Sequence, residues 1–163
     1  MTLPLTSRYL GERADDMAAV VARHSAGTIS DRAVRDLARY ESEVARLRAL
    51  PAPARRDEPL PPDDVRVVLS RSVGFLAWGA DLPGMLEALR EGKPAAPRPR
   101  RGWMLLVPQG GGEVEERVIS REDEGWLLEW FHEPTTIGEV ASAWDAREAI
   151  EELWAAGRLD RGP

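Results

Sequence analysis

The chain has no cysteine, two histidines and a single lysine among 163 residues. Without thiols there is no structural disulfide, no thiolate nucleophile and no cysteine metal site. The two histidines, His24 and His132, are far apart in sequence. His132-Glu133 has no second histidine four residues on, so the metalloprotease helix pattern fails. No run of about 18 apolar residues exists to cross a bilayer, and no basic-then-apolar pattern opens the chain. The expected compartment is the cytoplasm. Arginine outnumbers lysine 21 to 1, which reads as a GC-rich genome rather than as chemistry.

Charge is present, and it is lopsided. Residues 1–101 hold 17 basic and 14 acidic groups; residues 102–163 hold 5 and 14, a net of −9.

That acidic segment carries the clearest pattern in the chain. Ser120 stands three residues before Asp123, Thr136 before Glu139 and Asp145 before Glu148, three N-cap signals in which the acid reaches back. An apolar stripe follows each: Trp126, Leu127, Trp130 and Phe131; Ile137, Val140, Ala141 and Trp144; Ala149, Ile150, Leu153 and Trp154. Core packing is the leading reading for the four tryptophans, with one or two lining a binding groove as the alternative. Gly157 sits where a C′ residue belongs, with Leu159 beyond it. Ahead of these helices, the apolar runs 103–107 and 114–119 are joined by Pro108 and Gly110-Gly111-Gly112. The glycines lack a following Lys-Ser/Thr and precede a strand-like run, so they read as a hairpin turn. A hairpin followed by three short helices outlines a winged-helix-like module.

Upstream, residues 7–25 read as a helix with Met17, Val20, Val21 and His24 on one face. A second helix follows the N-cap Ser30, with Val34, Leu37, Tyr40, Val44 and Leu47 at helical spacing. Its other face carries Arg32, Arg35, Asp36, Arg39, Glu43 and Arg46 and reads as solvated. Five prolines in 51–62 exclude a packed helix or central strand and predict a linker or surface loop. Val65 to Leu69 is a short β-branched run, Ser72 to Trp78 reads as strand or loop, and Leu82 to Leu89 is a helix stopped by Gly92. Residues 93–101 form an extended basic connector. The expected fold class is α+β: N-terminal helices, then a winged-helix-like module with a small antiparallel sheet and three short helices. The expected divisions are 1–50, 51–101 and 102–163.

No nucleophile arrangement is apparent. The acidic clusters Asp15-Asp16, Asp63-Asp64, Glu115-Glu116 and 122–124 read as lying beside prolines or in first helical turns, where acids favour the helix dipole. The chain reads as a non-enzyme. A winged helix serves nucleic acid or peptide. The last helix, 145–156, carries Asp145, Glu148, Glu151 and Glu152 against Arg147, so it meets phosphates with repulsion. The alternative is peptide capture by strand addition at 114–119. The expected peptide-binding residues are Val114, Glu116 and Val118 on that strand, with Arg147, Ile150, Glu151 and Trp154 lining a neighbouring groove.

The stretch from Gly102 to Gly162 resembles the PqqD-like RiPP recognition element, which binds leader peptides of ribosomally made, post-translationally modified peptides. The matching segments are Trp103-Met104-Leu105-Leu106-Val107-Pro108, Leu127-Leu128-Glu129-Trp130-Phe131, 135–140, and 151–159 ending Ala156-Gly157-Arg158-Leu159. With Leu37-Ala38-Arg39-Tyr40-Glu41, the Pro-rich stretch, Val65 to Leu69 and Val73 to Trp78 in that order, the longer run resembles the MbnC/bufferin-type partner proteins of multinuclear non-haem iron oxidative enzymes. The resemblance implies a non-catalytic subunit that pairs with the iron enzyme as a heterodimer. It would hold the precursor leader while the enzyme modifies a cysteine of the core peptide, with the iron ligands entirely on the enzyme and no cofactor in this chain. The competing expectations are a winged-helix DNA-binding transcriptional regulator, which requires nucleic-acid binding, and an adaptor that binds only protein.

Overall fold

A computed structural model describes Leu5 and residues 32–95, 98–119 and 125–163. The helix expected over 7–25, the N-caps Ser30 and Ser120, and the acidic clusters at 15–16 and 122–124 lie outside the described residues. The fold is α+β. In chain order the elements are α1 (Arg32–Leu47), β1 (Arg66–Leu69), β2 (Gly74–Ala80), α2 (Leu82–Arg90), β3 (Pro99–Gly110) and β4 (Glu113–Ile119). They continue with α3 (Gly125–Trp130), β5 (Thr135–Thr136), α4 (Ile137–Trp144), α5 (Arg147–Ala155) and β6 (Leu159–Arg161). The strands form two sheets, ordered β5-β1-β6 and β2-β3-β4. No helix among the described residues is long and apolar enough to cross a membrane.

The chain divides into two compact units, neither continuous in sequence. The first is residues 1–46 with 76–103; the second is 47–75 with 104–163. The break falls inside β2 and β3, not at the expected 101/102 boundary. The basic connector is correspondingly shorter than expected. Its last residues, Pro99 to Arg101, are already strand, and Arg98 accepts the Asp81 N–H at 2.8 Å.

In the first unit, α1 buries Val34, Leu37, Tyr40 and Val44, as its spacing predicts. The expected solvated face is corrected at one position. Asp36 is buried, and its Oδ2 accepts from the N–H groups of Gly79 at 2.9 Å and Ala80 at 3.1 Å. α2 has Pro83 in its first turn, where no intrahelical N–H is needed, and buries Leu82, Met85, Leu86 and Leu89. Gly92, at φ +74°, ends it.

In the second unit, β1 is the central strand of its sheet. It pairs antiparallel with β5 (Val67 opposite Thr135) and with β6 (Val68 opposite Asp160). The Met104–Val107 run of β3 is buried throughout, which explains why it shows no apolar–polar alternation. Gly111 and Gly112 have φ of +63° and +85°, the left-handed pair that a two-residue hairpin turn requires. α4 opens as predicted: the Glu139 carboxylate accepts from the Thr136 N–H at 3.3 Å and hydroxyl at 2.5 Å. α5 ends in a Schellman motif, with Gly157 N–H donating to Trp154 O and Arg158 N–H to Leu153 O, both 2.9 Å.

Three expectations for the terminal helices are corrected. Asp145 does not cap α5. It sits at φ +50° as the left-handed C-cap of α4, a conformation that Asp tolerates, and Ala146 takes the N-cap position of α5. Trp130 and Trp144 are 44% and 53% exposed; the buried positions are Leu127, Leu128 and Phe131 of the first helix segment and Ile137 and Val140 of the second. Of the tryptophans on these helices whose side chains are described, only Trp154 is core.

Candidate functional site: the edge strand β4

β4 is the last strand of the β2-β3-β4 sheet. Among the described residues no strand lies on its other side, so that edge offers backbone N–H and C=O groups. Val114, Glu116 and Val118 alternate along it and share one face. Val114 and Glu116 are half-buried and Val118 is 50% exposed. On the other face Glu115 accepts from Gln109 Nε2 at 2.8 Å, and Ile119 anchors the strand in the core. The triple-glycine turn holds the strand's start. The strand is thus held by the turn at one end and by Ile119 at the other, and among the described residues no further strand pairs with it.

The expected groove beside α5 is corrected. Ile150 and Trp154 are 0% and 1% exposed. Both are core residues, and the Pro-rich segment, the surface loop among the two expected readings, lies over Trp154. Arg56 N–H donates to Ala155 O at 2.9 Å, and the Trp154 indole N–H donates to Glu58 O at 3.2 Å. The Arg56 guanidinium caps the Trp154 ring at 4.1 Å and pairs with Asp160. The other two groove residues, Arg147 and Glu151, are exposed. Arg147 pairs with Asp63 at 2.7 Å and with Glu151 at 3.5 Å. The hydrogen bond and charge of Asp63 raise the Arg147 pKa further above its ordinary value. The Pro-rich segment thus occupies the face of α5 at Trp154 and Ala155, and of the seven expected peptide-binding residues Val114, Glu116, Val118, Arg147 and Glu151 keep exposed or half-buried side chains.

Among the described residues no cluster of three histidine, aspartate or glutamate side chains is placed to hold a metal ion. His132 is exposed. Sequence reasoning missed the Arg56 cover and the buried role of Asp36. The cover's partners lie about a hundred residues away in the chain, beyond any local pattern. Asp36 carried a faint signal, an acid set among Arg32, Arg35 and Arg39 at helical spacing. No known protein family and no curated protein matches the chain.

Proposed function

We propose that this chain is a non-catalytic partner subunit in the biosynthesis of a ribosomally synthesised, post-translationally modified peptide. It binds the precursor leader along the outer edge of β4 and presents the core peptide to a multinuclear non-haem iron oxidative enzyme, which modifies cysteine. The pair is a cytoplasmic heterodimer, with the iron ligands on the enzyme. The observation that carries the reading is the position of β4 at the end of its sheet. An extended leader adds there as a further strand through main-chain hydrogen bonds, and Val118 offers apolar contact to alternate leader side chains. The acidic α5 favours peptide over DNA at this module. Holding the leader raises the effective concentration of the core at the enzyme, to about millimolar for a short linker.

The genomic neighbourhood and a titration test this together. The reading expects adjacent genes for an iron enzyme and for a short cysteine-containing peptide, whose synthetic N-terminal leader is the probe. The labelled leader binds the purified chain, and Val118→Pro, which removes a backbone donor from the strand, weakens it severalfold. A folded Val118→Pro chain that binds as well as the wild type overturns strand addition at this edge.

A further inference from the structure

The first unit contains an open cleft of about 460 Å³ that leader binding does not use. Four guanidinium groups line it: Arg32, Arg35 and Arg39 from α1 and Arg101 from β3. The three on α1 follow one helical face, spaced three and four residues apart over about 10 Å. Asp36, also in the lining, is committed to the β2 backbone through the Gly79 and Ala80 N–H groups. None of the four arginines forms an ion pair among the described residues. The cleft is a concentration of positive charge in a chain whose net charge is −6.

Two further features belong to β2. Trp78 lines the cleft and is 6% exposed, and its indole N–H has no acceptor among the described residues. A buried donor left unmade is costly. Gly79 has no side chain, and the Arg32 side chain lies against it: a Cβ there would come within 2.5 Å of Arg32 Cδ. The arginine side chains supply forked donors suited to oxygen anions, and Asp36 is the one carboxylate in the lining. The volume is that of a small-molecule site.

We propose that this cleft binds an oligophosphate group, of the kind a nucleoside di- or triphosphate carries. A row of three arginines on α1 with a fourth from β3 matches successive phosphoryl groups better than a single carboxylate. The phosphate chain lies along the α1 row, with Arg101 completing its charge neutralisation. The site is independent of β4 and of the leader.

Calorimetric titration of the full chain at low salt tests this, with tripolyphosphate, ATP and a hexaglutamate peptide as probes. Tripolyphosphate and ATP bind, and binding weakens as salt rises. Arg35→Gln with Arg39→Gln lowers affinity at least about tenfold, the loss of one charge-assisted hydrogen bond or more. Gly79→Ala keeps every charge and the melting temperature but displaces Arg32, and it also lowers affinity. Equal affinity for the two phosphates assigns the site to the phosphate chain alone; tighter ATP binding adds the nucleoside. Absence of binding by both phosphates, unchanged affinity in both variants, or equally tight hexaglutamate binding overturns the proposal.

Discussion

The Arg56 guanidinium lies 4.1 Å from the centre of the Trp154 ring, while the indole N–H of the same residue donates to Glu58 O at 3.2 Å. One Pro-rich segment therefore covers both the face and the edge of the largest side chain on α5. Its prolines limit the conformational freedom lost in ordering it. Arg56→Ala removes the stacked cation and the pair with Asp160, and we expect it to cost about 1–2 kcal/mol. Urea unfolding checks this. Trp154→Phe, which strands Glu58 O but keeps an aromatic ring, is expected to destabilise as well.

Asp36 joins α1 to β2 through two charge-assisted hydrogen bonds. Asp36→Ala leaves both N–H groups without their acceptor and is expected to cost about 3 kcal/mol; Asp36→Asn, which keeps a carbonyl oxygen, should cost less. Chemical denaturation of the two variants measures the difference, and equal stabilities would count against the assigned role.

Two glycines at positive φ differ in what surrounds them. At Gly157, φ +67°, a Cβ would meet Ala54 O at 2.3 Å; at Gly92, φ +74°, it would meet nothing within 4 Å. Gly92→Ala bears only the left-handed backbone penalty, about 1 kcal/mol. Gly157→Ala adds a collision with the backbone of the covering segment and is expected to cost about 2 kcal/mol or more. Melting temperatures of the pair separate the two terms.

Glu139 holds the start of α4. The hydrogen bonds from the Thr136 hydroxyl and N–H, with the charge of Arg66, lower its pKa below the ordinary 4.5. A lowered folded-state pKa means stability that is present above the unfolded value and lost as pH falls through the folded one. The advantage of the wild type over Glu139→Gln should thus be constant near neutral pH. It should shrink below about 4.5 and vanish at pH values under the folded pKa. Thermal melts of both proteins across that range test the sign.

What could be read from the sequence was local. The stripe of α1, the stop at Gly92, the triple-glycine hairpin, the Thr136–Glu139 cap and Gly157 all depend on residues within a few positions of one another. What escaped was set by distant partners or by the edges of an apolar arc. Leu159-Asp160-Arg161 is too short to show alternation, and only its pairing with Val67 to Leu69 makes it a strand. Trp130 and Trp144 fall within apolar stripes, yet periodicity does not say how wide an arc the core covers. Asp145-to-Glu148 has the spacing of a cap, but the chain uses Asp145 to reverse direction after α4. Of the two parts of the expected peptide site, β4 was legible as a strand and the burial beside α5 was not. Trp154 carries the same pattern whether a partner or the chain's own residues 53–58 cover it.

Amide hydrogen exchange of the full chain, with and without the synthetic leader, tests the central claim most directly. Strand addition predicts new protection within residues 113–119, with exchange in α5 unchanged. Protection that appears along α5 while β4 exchanges as before, or no protection in β4 under saturating leader, contradicts it.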